Sequence, residues 1–159
     1  MLDSINFTDL SRRQVVEVLS WRNHPAIRNH MRNKETISLT EHLQFIEQLS
    51  TVTSKRYFYV HEKCEGVGTF SLTGIKDGSA EIGIYVNPFL HSKGYGNQII
   101  DFMINYAFDL QNLSTLFLEV YKDNAIAVQF YEKNDFIKYD ESNDMYMMKL
   151  QSQQIPHKR

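Results

Sequence analysis

One cysteine, Cys64, stands in the whole chain, so no intrachain disulfide can form and a reducing compartment, the cytoplasm, is expected. Proline and glycine are scarce too, at three and seven residues, which leaves little room for a linker. Neither an internal repeat nor a low-complexity stretch stands out. A single domain over 1–150 is therefore expected, with the polar "QSQQIPHKR" (151–159) as a loose tail. No apolar run approaches the roughly 20 residues that span a bilayer. The opening "MLDSINFTDLSRR" contains no continuous apolar segment of the kind a secretory signal needs, so no membrane partner is expected. An excess of basic charge is missing as well. A formal net charge of −2 argues against a nucleic-acid coat, which wants a basic face, yet it leaves room for a local basic pocket around a phosphorylated ligand. What the chain does have is 42% apolar and 23% charged residues over 159 positions, the balance of a globular protein with a sizeable core.

The periodicity changes along the chain. "SINFTDL" reads as a short edge strand. Ser11 can cap a helix through "SRRQVVEVLSWR", with Val15, Val18 and Leu19 on one face, and a short helix follows Pro25. "SLTEHLQFIEQLS" is helical, with Leu39, Leu43, Ile46 and Leu49 on one side. Then the period shortens. "RYFYVHEK" and "EGVGTFSLTGI" are strands joined at "KCEG", a hairpin signal, and "SAEIGIYVN" begins after Asp77-Gly78. A helix runs from the glycines of "HSKGYG" to about Leu110. "TLFLEVYKD" is a strand, "NAIAVQFYEKN" a helix, "FIKYDE" and "DMYMMKL" the last strands. Antiparallel strands followed by a strand–helix–strand crossover predict an α+β fold with a mixed sheet.

"HSKGYG" lies between a strand and a helix, where backbone N–H groups at the helix start can bind an anion. Glycine permits the sharp turn and the close approach of a phosphate. The alternative is an ordinary tight turn. The loop is not a Walker loop, because no Gly-Lys-Ser/Thr follows, and it lacks the third glycine of the dinucleotide fingerprint. Its context is more specific. Strand, Gly-x-Gly loop, long helix, strand and then "NAIAVQFYEKNDF" together resemble the GCN5-related N-acetyltransferase (GNAT) family, well over about residues 57–150 and more loosely before.

That resemblance implies a single domain whose mostly antiparallel, twisted sheet of about seven strands is flanked by helices. It also implies a V-shaped opening between the fourth and fifth strands, "EIGIYV" and "TLFLEV", that takes acetyl-coenzyme A over a core at 79–136. The pantetheine arm would follow the strand at Ile84 and Val86. His91, Ser92, Lys93, Gly94, Tyr95 and Gly96 would hold the pyrophosphate, with His91 where the family usually has Gln or Arg. Asn124 would contact the cofactor or cap its helix, and Lys133 would lie near the cofactor as well. Tyr131 matches the family tyrosine beside the cofactor sulfur, unless it is a packing aromatic. A phenol, with an ordinary pKa of about 10, stays protonated at neutral pH and can donate to a departing thiol. Asp135-Phe136 stands where the family has Gly-Phe, and Asn134 is expected to supply the left-handed turn. Glu119 is the favoured general base, with Glu81 and His42 as alternatives. No metal is expected.

The acceptor would be set by the N-terminal helices. "WRNHP" and "EHLQFI" resemble members of the family that acetylate sugar nucleotides, which implies the 4-amino group of UDP-4-amino-4,6-dideoxy-N-acetyl-β-L-altrosamine, on the route to pseudaminic acid and flagellin glycosylation. Trp21 offers a flat face, Arg22, Arg28 and Arg32 offer phosphate forks, and His42, Ser71 and Thr73 offer polar contacts. Trp21 could equally anchor the core and the arginines be solvated. The expected partner is thus a small nucleotide sugar rather than nucleic acid, and a homodimer is compatible with the sequence. A ribosomal-protein-type N-terminal acetyltransferase and a non-catalytic acetyl-coenzyme A-binding module are the alternatives.

Overall fold

The computed structural model describes residues 1–90 and 94–154. Four strands, β1 (Leu2–Asn6), β2 (Arg56–Glu62), β3 (Glu65–Lys76) and β4 (Ser79–Val86), form an antiparallel meander. A second antiparallel group comprises β5 (Thr115–Tyr121), β6 (Ile137–Glu141) and β7 (Met145–Gln151). The spatial order is β1-β2-β3-β4-β5-β7-β6, with β4 and β5 parallel, so the sheet is mixed as expected. Asp77 (φ 52°) and Gly78 (φ 79°) both take the left-handed conformation, the requirement of a tight two-residue hairpin turn. β7 includes Gln151, and a 3-10 turn over Ser152–Gln154 follows, so the strand ends one residue beyond the expected domain limit.

Three helices, α1 (Arg12–Asn23), α2 (Pro25–Arg28) and α3 (Leu39–Leu49), lie between β1 and β2. α1 and α3 both begin with capping boxes, Ser11 with Gln14 and Ser38 with Glu41, each satisfying otherwise orphaned N–H groups. α4 (Tyr95–Asn105) crosses from β4 to β5, with its last turn loosened into a π-helical segment over Tyr106–Leu110, and α5 (Ala125–Lys133) links β5 to β6.

Alternation along the strands divides the apolar residues into two cores. Phe58 and Val60 join Ile99, Met103, Leu116 and Met148 on one face of the sheet, while Tyr59 between them joins Phe7, Val18, Trp21 and Leu49 on the other. Trp21, expected to present a flat face to substrate, is 1% exposed and stacks on Tyr59 at 5.5 Å with ring planes 7° apart. It is a core residue. The buried stripe of α3 is also shifted: His42 and Leu49 are buried, Phe45 and Ile46 pack beside them, and Leu39 and Leu43 are about half exposed. A histidine in the apolar stripe displaced the expected face by one position.

Trp21→Ala should lower the free energy of unfolding by about 3–5 kcal/mol, the usual loss for truncating a buried aromatic, as read by urea denaturation. Trp21→Phe, which keeps a ring on Tyr59, should fold and leave the KM for acceptor unchanged.

Candidate active site

β4 and β5 are paired at Ser79↔Thr115, Ala80↔Leu116 and Glu81↔Phe117 only. β4 stays paired to β3 as far as Val86, and β5 to β7 along its length. The two strands therefore part beyond Glu81, and the β5-facing edge of Ile82–Val86 has no ladder partner among the described residues. A cavity of about 590 Å³ opens in this split and reaches under the N-terminal helices. Ile82, Ile84 and Tyr85 of β4 wall it on one side and Leu118 and Glu119 of β5 on the other, with Tyr131 of α5 beside them.

Tyr131 is set by its own helix between aromatic neighbours, 5.4 Å from the ring of Phe130 and 5.7 Å from that of Phe136. Burial raises its phenol well above the ordinary value, so the hydroxyl keeps its proton throughout the neutral range. The turn after α5 differs from expectation. Asp135 itself takes the left-handed conformation (φ 73°), while Asn134, at φ −101°, is buried and donates from Nδ2 to the Phe130 carbonyl at 2.9 Å. Its side chain braces the end of α5.

The start of α4 fits an anion. Gly94 has φ 72°, and a Cβ built there would meet nothing within 4 Å. Gly94, the N-cap, has no side chain to cap the helix, and among the described residues no side-chain cap bond is made there, so the first N–H groups of α4 are candidates for an anion. His91, Ser92 and Lys93 lie outside the described residues. Tyr95 contributes its backbone alone, because its hydroxyl donates to Glu62 Oε1 at 3.1 Å. Gly96 has a packing reason: a Cβ would stand 3.3 Å from Phe130 and 3.7 Å from Val86. Val86 packs against the core, whereas Ile84 lines the cavity. Asn124 is the N-cap of α5, its Oδ1 accepting from the Ala127 N–H at 3.3 Å, and Lys133 is exposed on the last turn. An open strand edge leading to a helix that starts at a left-handed glycine suits an extended thioester arm ending in a pyrophosphate.

The carboxylates are not free. Arg32 reaches Glu119 Oε2 at 2.6 Å and Glu81 Oε1 at 3.5 Å, so in this arrangement it is an ion-pair partner of the two acids rather than a phosphate fork. Arg28 binds the carbonyls of Asn23 and Lys34 and likewise holds the chain. Arg22 is buried in the cavity wall and donates to the carbonyls of Asn33 (2.8 Å) and Glu35 (3.3 Å). No carboxylate pairs with it among the described residues. His42 lines the cavity with its Nε2 3.2 Å from the Val15 carbonyl. A carbonyl only accepts, so Nε2 carries the proton and Nδ1 is left as an acceptor. Burial lowers the His42 pKa, which keeps the ring neutral at pH 7. Ser71 lines the cavity, but Thr73 does not: it sits opposite Glu81 and leans to that residue's carbonyl at 3.5 Å. Tyr85, Thr69 and Tyr57, which sequence reasoning passed over, complete the wall. Burial pushes the Tyr85 phenol up to about 12. The one signal for Tyr85 was its place in "GIYV", on the strand that faces the opening. No group of three or more His, Cys, Asp or Glu that could hold a metal ion occurs among the described residues.

Comparison with known proteins agrees with this geometry. Residues 9–149 match the family described as acetyltransferase (GNAT) domain. The chain belongs to the GNAT acetyltransferase family. It is 37% identical over 146 residues to acetyltransferase PseH of Campylobacter jejuni, covering 92% of this chain and 91% of that one. The crystal structure of Campylobacter jejuni N-acetyltransferase PseH in complex with acetyl coenzyme A superposes with a TM-score of 0.81 at 31% identity, over 96% of this chain and 99% of that one. The fold is also that of spermidine N-acetyltransferase from Vibrio cholerae in complex with CoA and spermine, at a TM-score of 0.86 and 22% identity over 96% of each chain. As a member of the family, this protein is an acetyl-coenzyme A-dependent N-acetyltransferase.

Three outcomes follow for the site. Tyr131→Phe should lower kcat about 10²–10⁴-fold, the usual worth of a positioned proton donor, with cofactor affinity little changed; a loss confined to KM would make the hydroxyl a binding group. Gly94→Val, strained by the left-handed backbone and filling open space at the helix start, should weaken acetyl-coenzyme A binding severely by calorimetry, and unchanged affinity would remove the pyrophosphate assignment. Cys64, exposed in the β2–β3 turn, should tolerate serine with turnover near wild type.

Proposed function

We propose that this GNAT enzyme acetylates the 4-amino group of a UDP-linked amino-dideoxy sugar, UDP-4-amino-4,6-dideoxy-N-acetyl-β-L-altrosamine, by direct attack in a ternary complex, in pseudaminic acid synthesis for flagellin glycosylation. The similarity to acetyltransferase PseH over most of both chains supports the pathway. The observation that carries the acceptor class is Arg22, a buried cation in the cavity wall with no carboxylate beside it among the described residues. Its two bonds to carbonyls use two of five guanidinium donors, and an acceptor bearing a diphosphate would engage the rest. A polyamine would meet that charge as repulsion, and a peptide N-terminus brings no phosphate to answer it. Tyr131, protonated beside the strand split, supports a catalytic enzyme over a binding module. With its lone exposed cysteine, the enzyme fits the cytoplasm.

Acetyl-coenzyme A, when bound, supplies an acetyl thioester. Ile82–Val86 offer the unpaired edge of β4 along which such an arm can lie and from which a backbone N–H can polarise the carbonyl, an oxyanion-hole arrangement. Tyr131 holds its proton for the departing sulfur. His42, neutral and with Nδ1 as acceptor, can bond the acceptor and receive a proton without shedding a partner, whereas Glu119 already has one oxygen engaged by Arg32. No side chain is required as a nucleophile.

Arg22→Lys keeps the charge but loses the fork. It should raise KM for the UDP-sugar roughly 10–100-fold, the worth of one or two charged hydrogen bonds, and leave acetyl-coenzyme A affinity unchanged. UDP should compete with the acceptor, and less so as salt rises. If UDP fails to compete and spermidine or a peptide amine is acetylated faster than the aminated UDP-sugar, the acceptor assignment is wrong.

A further inference from the structure

The segment that enters α4 is pinned at both ends to one place, the end of the β2–β3 hairpin. The first pin is Asn87, directly after β4 and 7% exposed. Its N–H donates to the Val67 carbonyl at 2.9 Å, and its Nδ2 donates to the Gly66 carbonyl at 2.9 Å. Its Oδ1 accepts from the Phe89 N–H at 2.9 Å, and its carbonyl accepts from the Leu90 N–H at 3.1 Å. All four polar groups of the residue are therefore used. The sequence of β3 makes this possible. Val60 pairs with Gly68 and His61 with Gly66, so Val67 is the extra residue of a bulge, which withdraws its carbonyl from the β2 ladder and turns it to Asn87. Gly68 lets its neighbour β4 approach closely: it pairs with Val86, and a Cβ there would lie 2.4 Å from the Tyr85 carbonyl oxygen and 3.1 Å from Val86 Cα.

The second pin is Tyr95, the first residue of α4. Its hydroxyl donates to Glu62 Oε1 at 3.1 Å, and Glu62 is the last residue of β2, paired with Glu65 across the same hairpin turn. Asn87 thus fixes the exit from β4 and Tyr95 the entry to α4, and neither side chain is available to a ligand.

We propose that Asn87 and Tyr95 are positioning residues that hold the start of α4 for the pyrophosphate of acetyl-coenzyme A, using the bulged end of the β2–β3 hairpin as their base. The proposal rests on the reading that Gly94 and the N–H groups after it receive the pyrophosphate. Both residues act through the backbone they hold. Losing a pin widens the range of positions the first N–H groups of α4 sample and weakens the contact to phosphate, while the thioester end, on the β4 edge and Tyr131, is untouched.

The test compares two donors and one binding measurement on the full chain. Asn87→Ala should raise the calorimetric Kd for coenzyme A by about tenfold and Tyr95→Phe by a few-fold, as hydrogen bonds of ordinary net strength allow. With S-acetylpantetheine, which has the thioester arm but no pyrophosphate, kcat/KM should match wild type for both variants. If the wild-type enzyme binds coenzyme A no better than pantetheine, the pyrophosphate reading fails and the proposal with it. If the wild type prefers coenzyme A and both variants retain its full affinity, or if both donors suffer equally, the pins fail while the pyrophosphate reading stands. Tyr95→Phe removes a single hydroxyl, so it answers the question even if Asn87→Ala does not fold.

Discussion

The parting of β4 from β5 after their third residue pair is the constraint on which the rest of the molecule depends. Backbone N–H and C=O groups in a protein interior are nearly always paired, so a strand edge left open is tolerable only where a ligand or water will satisfy it. What keeps it open is visible on both sides. β4 is committed to β3 through Val86, while β5 is committed to β7. Neither strand can lean across without breaking a ladder on its far side. The opening is thus built in before any ligand arrives, which spares the ordering a flexible groove would need on binding. The two cores serve the same end, one bracing the sheet against α4 and α5, the other against the N-terminal helices that roof the acceptor side.

The arginines of the N-terminal segment divide a task that one residue type would not obviously divide. Arg28 and Arg22 donate to backbone carbonyls between Asn23 and Glu35, and Asn23 clamps Ile37 from the same helix through both its amide atoms, at 2.8 and 2.9 Å. A stretch with no helix or strand of its own is thereby fixed against α1. Arg32, from that stretch, spans to Glu119 and Glu81 on the far strands. With its side chain 64% exposed, such a pair is worth little in stability. Its consequence is electrostatic: one guanidinium offsets part of the charge of the two acids at the strand split, while Arg22 lines the cavity with no carboxylate within ion-pair distance among the described residues.

The succession of strands and helices along the chain, the Ser11 cap and the glycine at the mouth of α4 could be read from the sequence, because each rests on local chemistry with a fixed spacing. Trp21, the buried face of α3 and the partners of Arg28 and Arg32 could not. An amphipathic side chain is equally at home on a ligand or in a core, and only the position of Tyr59, far along the sequence, decides for Trp21. His42 counted as polar in the helical stripe, although one carbonyl, that of Val15, suffices to bury it. Tyr85 was hidden for a related reason. Once β5 pulls away, residues from both sides of β4 border the opening, Ile82 and Ile84 as well as Tyr85, and strict alternation of faces no longer sorts them.

The burial of Tyr131 works in two directions. It guarantees that the phenol is protonated, since desolvation disfavours the phenolate. The same desolvation makes it a reluctant acid, because its pKa lies well above the thiol value of about 8.5, and complete transfer of its proton to a sulfur in water would run uphill. Within the cavity the comparison shifts, because any anion beside Leu118 and Ile84 is stripped of water as the phenolate would be. Tyr131 therefore contributes first as a fixed hydrogen-bond donor to charge that grows in the transition state, and as an acid only to the extent that the sulfur is desolvated as fully as the ring. A preorganised donor in a low-dielectric site needs no proton transfer to lower a barrier. The surrounding Phe130 and Phe136 hold the ring in place and exclude the water that would otherwise compete for the same bond.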